Sequence, residues 1–559
     1  MTKLPAHVWR TLWAYHACVG VAAGLILHVM FVGGVATLFL APLKFWEEPA
    51  QHVVARAESP QVLLERGMAA IAALPETPKR LWLGVPQGAH GVARFQYADL
   101  ATGRWRAGWL TADGFVAERE QVATFLYHTH YLWHPALPEL EYLAGLLALA
   151  FLLAVVTGVV IHVKDLWRQL TQFRPRAGRR VLWSDLHKVL GVLGLPFQLV
   201  WAYTGALLAL GPVLITAVSG PVFGSAAEAG RVAWNEPVIT TAPAMDGTPR
   251  TLDEALDIAR GVLPGLAPVA FGIQDVGKPR CVIRVFGERD GAGPDRYASV
   301  LIHARSGAVL QVDAATTDLA SHATRRWLAG IHYGYFGGLG VRVVLALLAL
   351  AGSATILTGN WIWLARRHAG AGHVLARLTA GVGAGIFVAI AGAFVASRAL
   401  PLDWAPRGNA EQLIFVGLLA ACVAWALAAR DAAALWWQQL ALAGALFAST
   451  PLWAARLSAA GLFGAGPRIA AVAGVDAGLI VCGAGLLAVA WRVRHRIDVL
   501  PRRAPRAVFG VIALVGSAAV WPRGDGVLLG ALAVTFWLSL IATLAIVLSG
   551  SARPPRSPS

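Results

Sequence analysis

The chain has 559 residues, of which 57% are hydrophobic and only 14% charged, and its formal net charge is +16. This composition belongs to a polytopic membrane protein and excludes an ordinary soluble enzyme. The positive charge is no nucleic-acid footprint, because the basic residues cluster in short segments between apolar runs, where they set membrane orientation.

Taken in chain order, residues 8–40 predict a first membrane span. Its apolar run from Val19 to Leu40 is long enough to stay in the bilayer instead of being removed as a signal. Residues 43–138 form a polar domain with nine Lys/Arg against nine Asp/Glu. A second span, 140–163, is uncharged from Leu143 to Ile161. The loop 164–182 follows; between Lys164 and Arg180 it carries six basic residues against the single acid Asp165. That bias places the loop in the cytoplasm, and hence the N-terminus inside and the first polar domain outside. The third span, 183–210, is expected to bend at Pro196. A second outside domain, 211–331, carries 11 basic and 12 acidic residues. Within it Thr251 is a helix N-cap followed by acids, and Cys281–Phe286 and Ala298–His303 alternate as half-buried strands, with a turn at Arg305-Ser306-Gly307. The fourth span, within 332–365, ends at Arg366-Arg367. Six further spans are read at about 378–397, 411–429, 433–454, 469–491, 507–521 and 526–549, within a C-terminal region 374–549. The basic segment 492–506 and the tail 550–559 read as cytoplasmic, giving both termini inside.

An internal repeat organises the first four spans. YHACVGVAAGLILHVMFVGGVATLF in span one aligns with LHKVLGVLGLPFQLVWAYTGALLAL in span three, pairing His16 with His187, Gly20 with Gly191 and Gly34 with Gly205. Spans two and four pair His130 with His332 and, after a one-residue shift, Thr157-Gly158 with Thr358-Gly359. The unit is span, outside domain, span, occurring twice in one orientation. Two such copies predict a pseudo-symmetric four-helix bundle in which equivalent residues face one another.

That symmetry sorts the histidines by depth. His16, His187 and His162 lie near the inner span ends; His130, His134 and His332 lie at the outer ends. Imidazole is a usual axial ligand of haem iron, and paired spans supply two imidazoles on opposite sides of a flat macrocycle. The expectation is two b haems in two layers, with iron ligated through His16, His187, His130 and His332. His134 is a second outer candidate, and His162 either ligates or bonds a propionate. His28, whose repeat equivalent is Leu199, reads as a bonded core residue, and His128 is less well placed than His130. A zinc site at His130 and His134 is the chemical competitor, but no HExxH occurs. The cysteines Cys18, Cys281, Cys422 and Cys482 form no CxxC and no CxxCH, which excludes c-type haem attachment and a thiol redox pair.

The motifs YHACVGVAAG with FWEEP, HYLWH, TGVVIHVKDLWRQLTQFRP, DLHKVLGVLGLPF and IHYGYFGG occur in that order over roughly residues 8–368. In these the chain resembles the PepSY-associated transmembrane family of bacterial inner-membrane proteins, and TLDEALDIA with VLIHARSGAVL is similar to the family's PepSY module. The resemblance implies a four-helix core holding b haems and two outside α+β domains that receive a substrate, as in members resembling ferric-siderophore reductases. Gln198 departs from the pattern, since relatives often carry His there. Many relatives also end soon after span four, so the remaining spans lie outside the resemblance.

These readings converge on an inner-membrane electron-transfer protein whose acceptor is a ferric siderophore or other ferric chelate. No GxGxxG follows a strand, so the electron donor is separate, a quinol or a cytoplasmic reductase. The lipid bilayer is the other partner, and no nucleic acid is expected. No catalytic side chain is assigned. The rival readings are a non-redox transporter or permease acting through the C-terminal spans, and a PepSY-based regulatory or binding protein without haem.

Overall fold

The computed structural model describes residues 5–496, except for 54–56, 75–77, 87–90, 99–104, 120, 135, 164–167, 169–172, 175–177, 235–242, 290–295, 315–319, 335–337, 366–370, 403, 405, 430–431 and 460–468. In chain order its elements are α1 (Ala6–Thr37), α2 (Leu40–Glu47), α3 (Pro60–Ala70), β1 (Arg80–Gly84), β2 (Ala93–Ala98), β3 (Trp105–Thr111), β4 (Gly114–Ala117), α4 (Val122–His130), α5 (Leu140–His162), α6 (Arg179–Leu193), α7 (Leu195–Phe223) and α8 (Ala226–Trp234). There follow α9 (Leu252–Val262), β5 (Ala267–Gln274), β6 (Val282–Glu288), β7 (Tyr297–His303), β8 (Val309–Asp313), α10 (Ala320–Tyr333), α11 (Gly338–Leu364), α12 (Ala371–Ala399), α13 (Arg407–Ala428), α14 (Ala432–Ala459) and α15 (Ile469–Arg496). Two compact units emerge. One comprises Met1–Glu47, Glu120–Tyr203 and Ala346–Ser559; the other comprises Glu48–Arg119 and Thr204–Leu345.

Among the described residues seven helices are long and apolar enough to cross a membrane: α1, α5, α7, α11 and, within their helices, 374–399, 407–428 and 471–494. The chain is a multi-pass membrane protein, with the bilayer as its solvent. The four spans of the repeat are all present, with shifted bounds. The expected bend in span three is a break: α6 stops at Gly194, and α7 restarts with Pro196 in its first turn, where a missing N–H costs nothing. The apolar helix then continues to Phe223 and does not end at 210. The span expected at 433–454 is helical, as α14. The spans expected at 507–521 and 526–549 lie outside the described residues.

In the helical unit, α1 packs along α5, and Ala23, Leu27, Met30, Ala144, Phe151, Ala202 and Ile356 form the core between the repeat's spans. Helices α12 to α15 form a second packed layer of the same unit, centred on residues such as Ile386, Phe394, Phe415 and Leu446, and also bury Trp46 and Leu126 of α2 and α4. Trp183, Trp361 and Trp436 stack with centroids 5.4 to 6.4 Å apart, tying α6 and α11 to α14.

The other unit corrects one expectation. The two outside domains are not separate α+β bodies; they share one eight-stranded antiparallel sheet of order β4-β3-β2-β1-β5-β6-β7-β8. Each half is a helix followed by a four-stranded meander, α3 with β1 to β4 and α9 with β5 to β8. The halves join where β1 pairs antiparallel with β5, Trp82 opposite Gly272. Alone, each first strand would expose a row of unpaired backbone groups, and joining removes both edges. Helix α9 starts as expected: the Thr251 hydroxyl accepts from Glu254 N–H at 3.2 Å while the Glu254 carboxylate accepts from Thr251 N–H at 2.8 Å. Its apolar positions Leu252, Ala255, Leu256 and Ala259 recur at helical spacing and are buried against the sheet, with Leu63 of α3 in the same core.

Candidate functional site

The site begins with two glycines. On α5 and α11 the equivalent dipeptides Thr157-Gly158 and Thr358-Gly359 each receive an imidazole. A Cβ on Gly158 would come within 3.0 Å of His16 Cε1, and one on Gly359 within 3.3 Å of His187 Cε1. With no side chain there, each ring drops onto the neighbouring helix and reaches a backbone carbonyl. His16 Nδ1 lies 2.8 Å from Ala154 O, and His187 Nδ1 lies 2.8 Å from Thr355 O. Ala154 and Thr355 are themselves repeat equivalents. The hydroxyls of Thr157 and Thr358 bridge the same groups, 3.4 Å from the respective Nδ1 and donating to the same two carbonyls at 2.9 Å.

These bonds fix the chemistry of both rings. A carbonyl only accepts, so Nδ1 carries the proton and Nε2 keeps its lone pair. The ring centroids are 6.0 Å apart and the planes cross at 86°. Two metal–imidazole bonds of about 2 Å each, with about 1 Å more from each nitrogen to its ring centre, also span about 6 Å. An N–H held by a backbone carbonyl is the usual outer-shell support of a metal-bound imidazole. The two rings flank a cavity of about 640 Å³, lined by Gly20, Gly24 and Gly191 beside the histidines, a size within the range of small-molecule and cofactor sites. The residues present therefore suit a flat macrocycle with bis-imidazole ligation.

The other histidines divide clearly. His162 lines the same cavity. His130, at the end of α4, folds back onto α1: its Nδ1 lies 2.7 Å from Met30 O, and a Cβ on Gly34 would come within 2.9 Å of its ring. A straight helix from His130 to His162 would run about 48 Å; the structure has none, because α4 ends at His130 and α5 begins at Leu140. In the sheet-containing unit, His332 Nδ1 lies 2.6 Å from Thr204 Oγ1. Thr204 is the repeat equivalent of Gly33, which lies against the His130 backbone, whereas the His130 ring itself seats on Met30 and Gly34. His134 is exposed, and its Nδ1 accepts from Ala136 N–H at 3.1 Å, a local turn contact. His28 is fully buried with both ring nitrogens bonded, to Ser353 Oγ at 2.6 Å and Gly383 O at 3.1 Å; it is a core residue. No group of three or more His, Cys, Asp or Glu suited to a metal ion occurs among the described residues.

Sequence reasoning paired Thr157-Gly158 with Thr358-Gly359 without seeing their task, which is to seat the imidazoles. It also left Gln198 without a role. That side chain is 3% exposed, lines the cavity, and its Nε2 has no hydrogen-bond partner.

Duplicated span–domain–span units, facing imidazoles and a fused sheet define a class of multi-pass membrane protein with a cavity within its helical unit. The chain belongs to the PepSY-associated TM region family, whose profile matches residues 13–366. It is similar to a Pseudomonas aeruginosa protein described only as uncharacterized, 29% identical over 278 residues, a stretch that covers 44% of this chain and 66% of that one.

Proposed function

We propose that the chain is a di-haem b electron-transfer protein of the bacterial inner membrane, which passes electrons to a periplasmic ferric siderophore or other ferric chelate. The observation that carries this reading is the His16–His187 pair, 6.0 Å apart, each ring fixed through Nδ1 by a backbone carbonyl. Haem b, when bound, supplies a one-electron carrier. The chain's own residues do the rest. His16 and His187 present lone pairs from opposite sides, the Ala154 and Thr355 carbonyls hold both rings in one tautomer, and the apolar walls exclude water.

A second layer follows from the repeat, which pairs His130 with His332. Met30, where His130 seats, is 14 residues beyond His16 on α1, about 21 Å at 1.5 Å per residue. Two layers at that spacing cover most of the ~30 Å hydrocarbon core, so electrons need no mobile carrier within the protein. Basic segments put the His162 end in the cytoplasm, where a separate donor delivers electrons, with the N- and C-termini on the same side. One-electron reduction of Fe(III) to Fe(II) makes a weaker Lewis acid and loosens its hold on hard oxygen donors, which suits iron release outside.

The purified protein is expected to show a low-spin b-type spectrum with about two haems per chain by pyridine haemochrome, as two bis-imidazole sites require. His187→Ala removes an axial bond and should lose or convert one haem, leaving the other's spectrum intact; His16→Ala should affect the same haem. Wild-type protein without a Soret band sinks the proposal. Different haems responding to His16 and His187 sinks the pairing.

A further inference from the structure

The cavity between His16 and His187 obeys the internal repeat along most of its length. Gly20 lines it opposite Gly191, Ala154 opposite Thr355, and Ile161 opposite Ile362. The repeat fails at one end. Where the first copy places Trp13 and Ala17, the second places Ser184 and Lys188; where the first places His162, the second places Trp363.

These exchanges are not scattered. His162 closes α5, and Ser184 and Lys188 stand on α6, so the polar members lie on adjacent spans. His162 and Lys188 both sit near enough to the His187 ring to interact with it electrostatically. The apolar members Trp13, Ala17 and Trp363 stand on α1 and α11, which pack together where Gly24 meets Ile356. One end of a nearly symmetric cavity therefore carries polar and cationic residues from α5 and α6 together with aromatic ones from α1 and α11.

Among the described lining residues Lys188 is the one full charge and none is an acid. The nearest carboxylate in sequence, Asp185, is held by Arg174, whose Nε and Nη2 donate to its two oxygens at 3.0 Å, and it lies within electrostatic reach of Lys188 as well. With Asp185 shared between Arg174 and Lys188, a cation beside a low-dielectric cavity gains from a further counter-ion, and a carboxylate-bearing macrocycle brings one.

We propose that Lys188, with the Ser184 hydroxyl and the His162 imidazole, forms a carboxylate clamp that binds a propionate of the macrocycle held by His16 and His187. The inference rests on the haem reading and assigns His162 to the propionate, not to the iron. A charge-assisted hydrogen bond in this setting is worth about tenfold or more in binding.

The test follows haem loss from purified, haem-loaded protein to excess apomyoglobin, with optical and resonance Raman spectra before transfer. Lys188→Met should release one of its haems about tenfold faster than wild type and shift that haem's propionate bending band. Its bis-imidazole low-spin spectrum should remain. Lys188→Arg should restore slow release, which a merely misfolded site would not do. His162→Phe should behave as a weaker Lys188→Met. Equal release from wild type and Lys188→Met overturns the clamp while the haem reading stands. Conversion of a haem to high spin by His162→Phe makes His162 an axial ligand and also overturns the assignment. Wild-type protein with no haem overturns the reading beneath both.

Discussion

In α14 and α15, Gly444 and Gly483 lie back to back. A Cβ on Gly483 would come within 2.6 Å of the Gly444 carbonyl oxygen, and one on Gly444 within 2.8 Å of that of Gly483. Gly20 of α1 has no atom within 4 Å of where its Cβ would stand. The C-terminal helices use small residues to bring backbones together, the usual device for helix association in lipid. The repeat's spans use them to keep space open or to seat an imidazole. The apolar stretch of α12 is 78% buried, while that of α15, like that of α7, is only 11% buried, so close packing in the C-terminal half centres on α12. The proposed macrocycle needs room, and the described cavity of about 640 Å³ lies in the duplicated half. The described C-terminal helices are joined to the core through the tryptophan stack, and we read them as a brace.

The largest test of that division is the buried ion pair at the start of α13. Arg407 and Glu411 are 2% and 1% exposed, with Nε donating to Oε1 at 2.8 Å. Arg407→Met leaves the carboxylate buried without its cation and is expected to cost about 3–5 kcal/mol, whereas Arg407→Met with Glu411→Leu should recover most of the loss. Thermal unfolding in detergent reads both. If the single variant unfolds no earlier than wild type but loses haem, the C-terminal layer takes part in the site and the brace reading breaks.

Gly483→Val comes next. Its Cβ would meet the backbone of α14, which cannot swing aside, so overpacking of about 1–3 kcal/mol is expected, seen as a lower Tm. Spectra of the folded fraction should match wild type.

The sequence made the repeat, the pairing of His16 with His187 and the capping box of α9 legible, because each is a local pattern or a self-comparison. It hid what depends on contact between distant segments. Two balanced polar domains look independent until β1 and β5 pair, since an edge strand has no signature of its partner. The repeat already sets His28 apart from His16, since its equivalent is Leu199, but the partners that make it a core histidine, Ser353 and Gly383, lie more than 300 residues away in sequence. His130 and His134 are four residues apart, yet one seats on Met30 and Gly34 while the other ends exposed, because α4 stops between them and the chain turns through Leu132 at φ 60°.

The smallest expected effect on stability is the most informative about the cavity. Gly20 lies one turn beyond His16 on α1 and lines the open space. Gly20→Ala removes a flexible residue from a helix interior without touching a neighbour, so the protein should unfold at the same temperature or higher, by up to about 1 kcal/mol. A methyl group there takes little from a cavity of about 640 Å³, and haem content should stay near wild type. Gly20→Leu puts a branched side chain into the same space. The apo fold should tolerate it, because nothing stands within 4 Å, but the macrocycle would lose its place beside His16. The pair of variants thus separates folding from cofactor binding at one residue. Gly20→Leu should keep its Tm in the apo state and lose one haem, the one that His187→Ala removes. Loss of the other haem would move the site away from this cavity, and full haem content in Gly20→Leu would mean that the space near Gly20 serves something else.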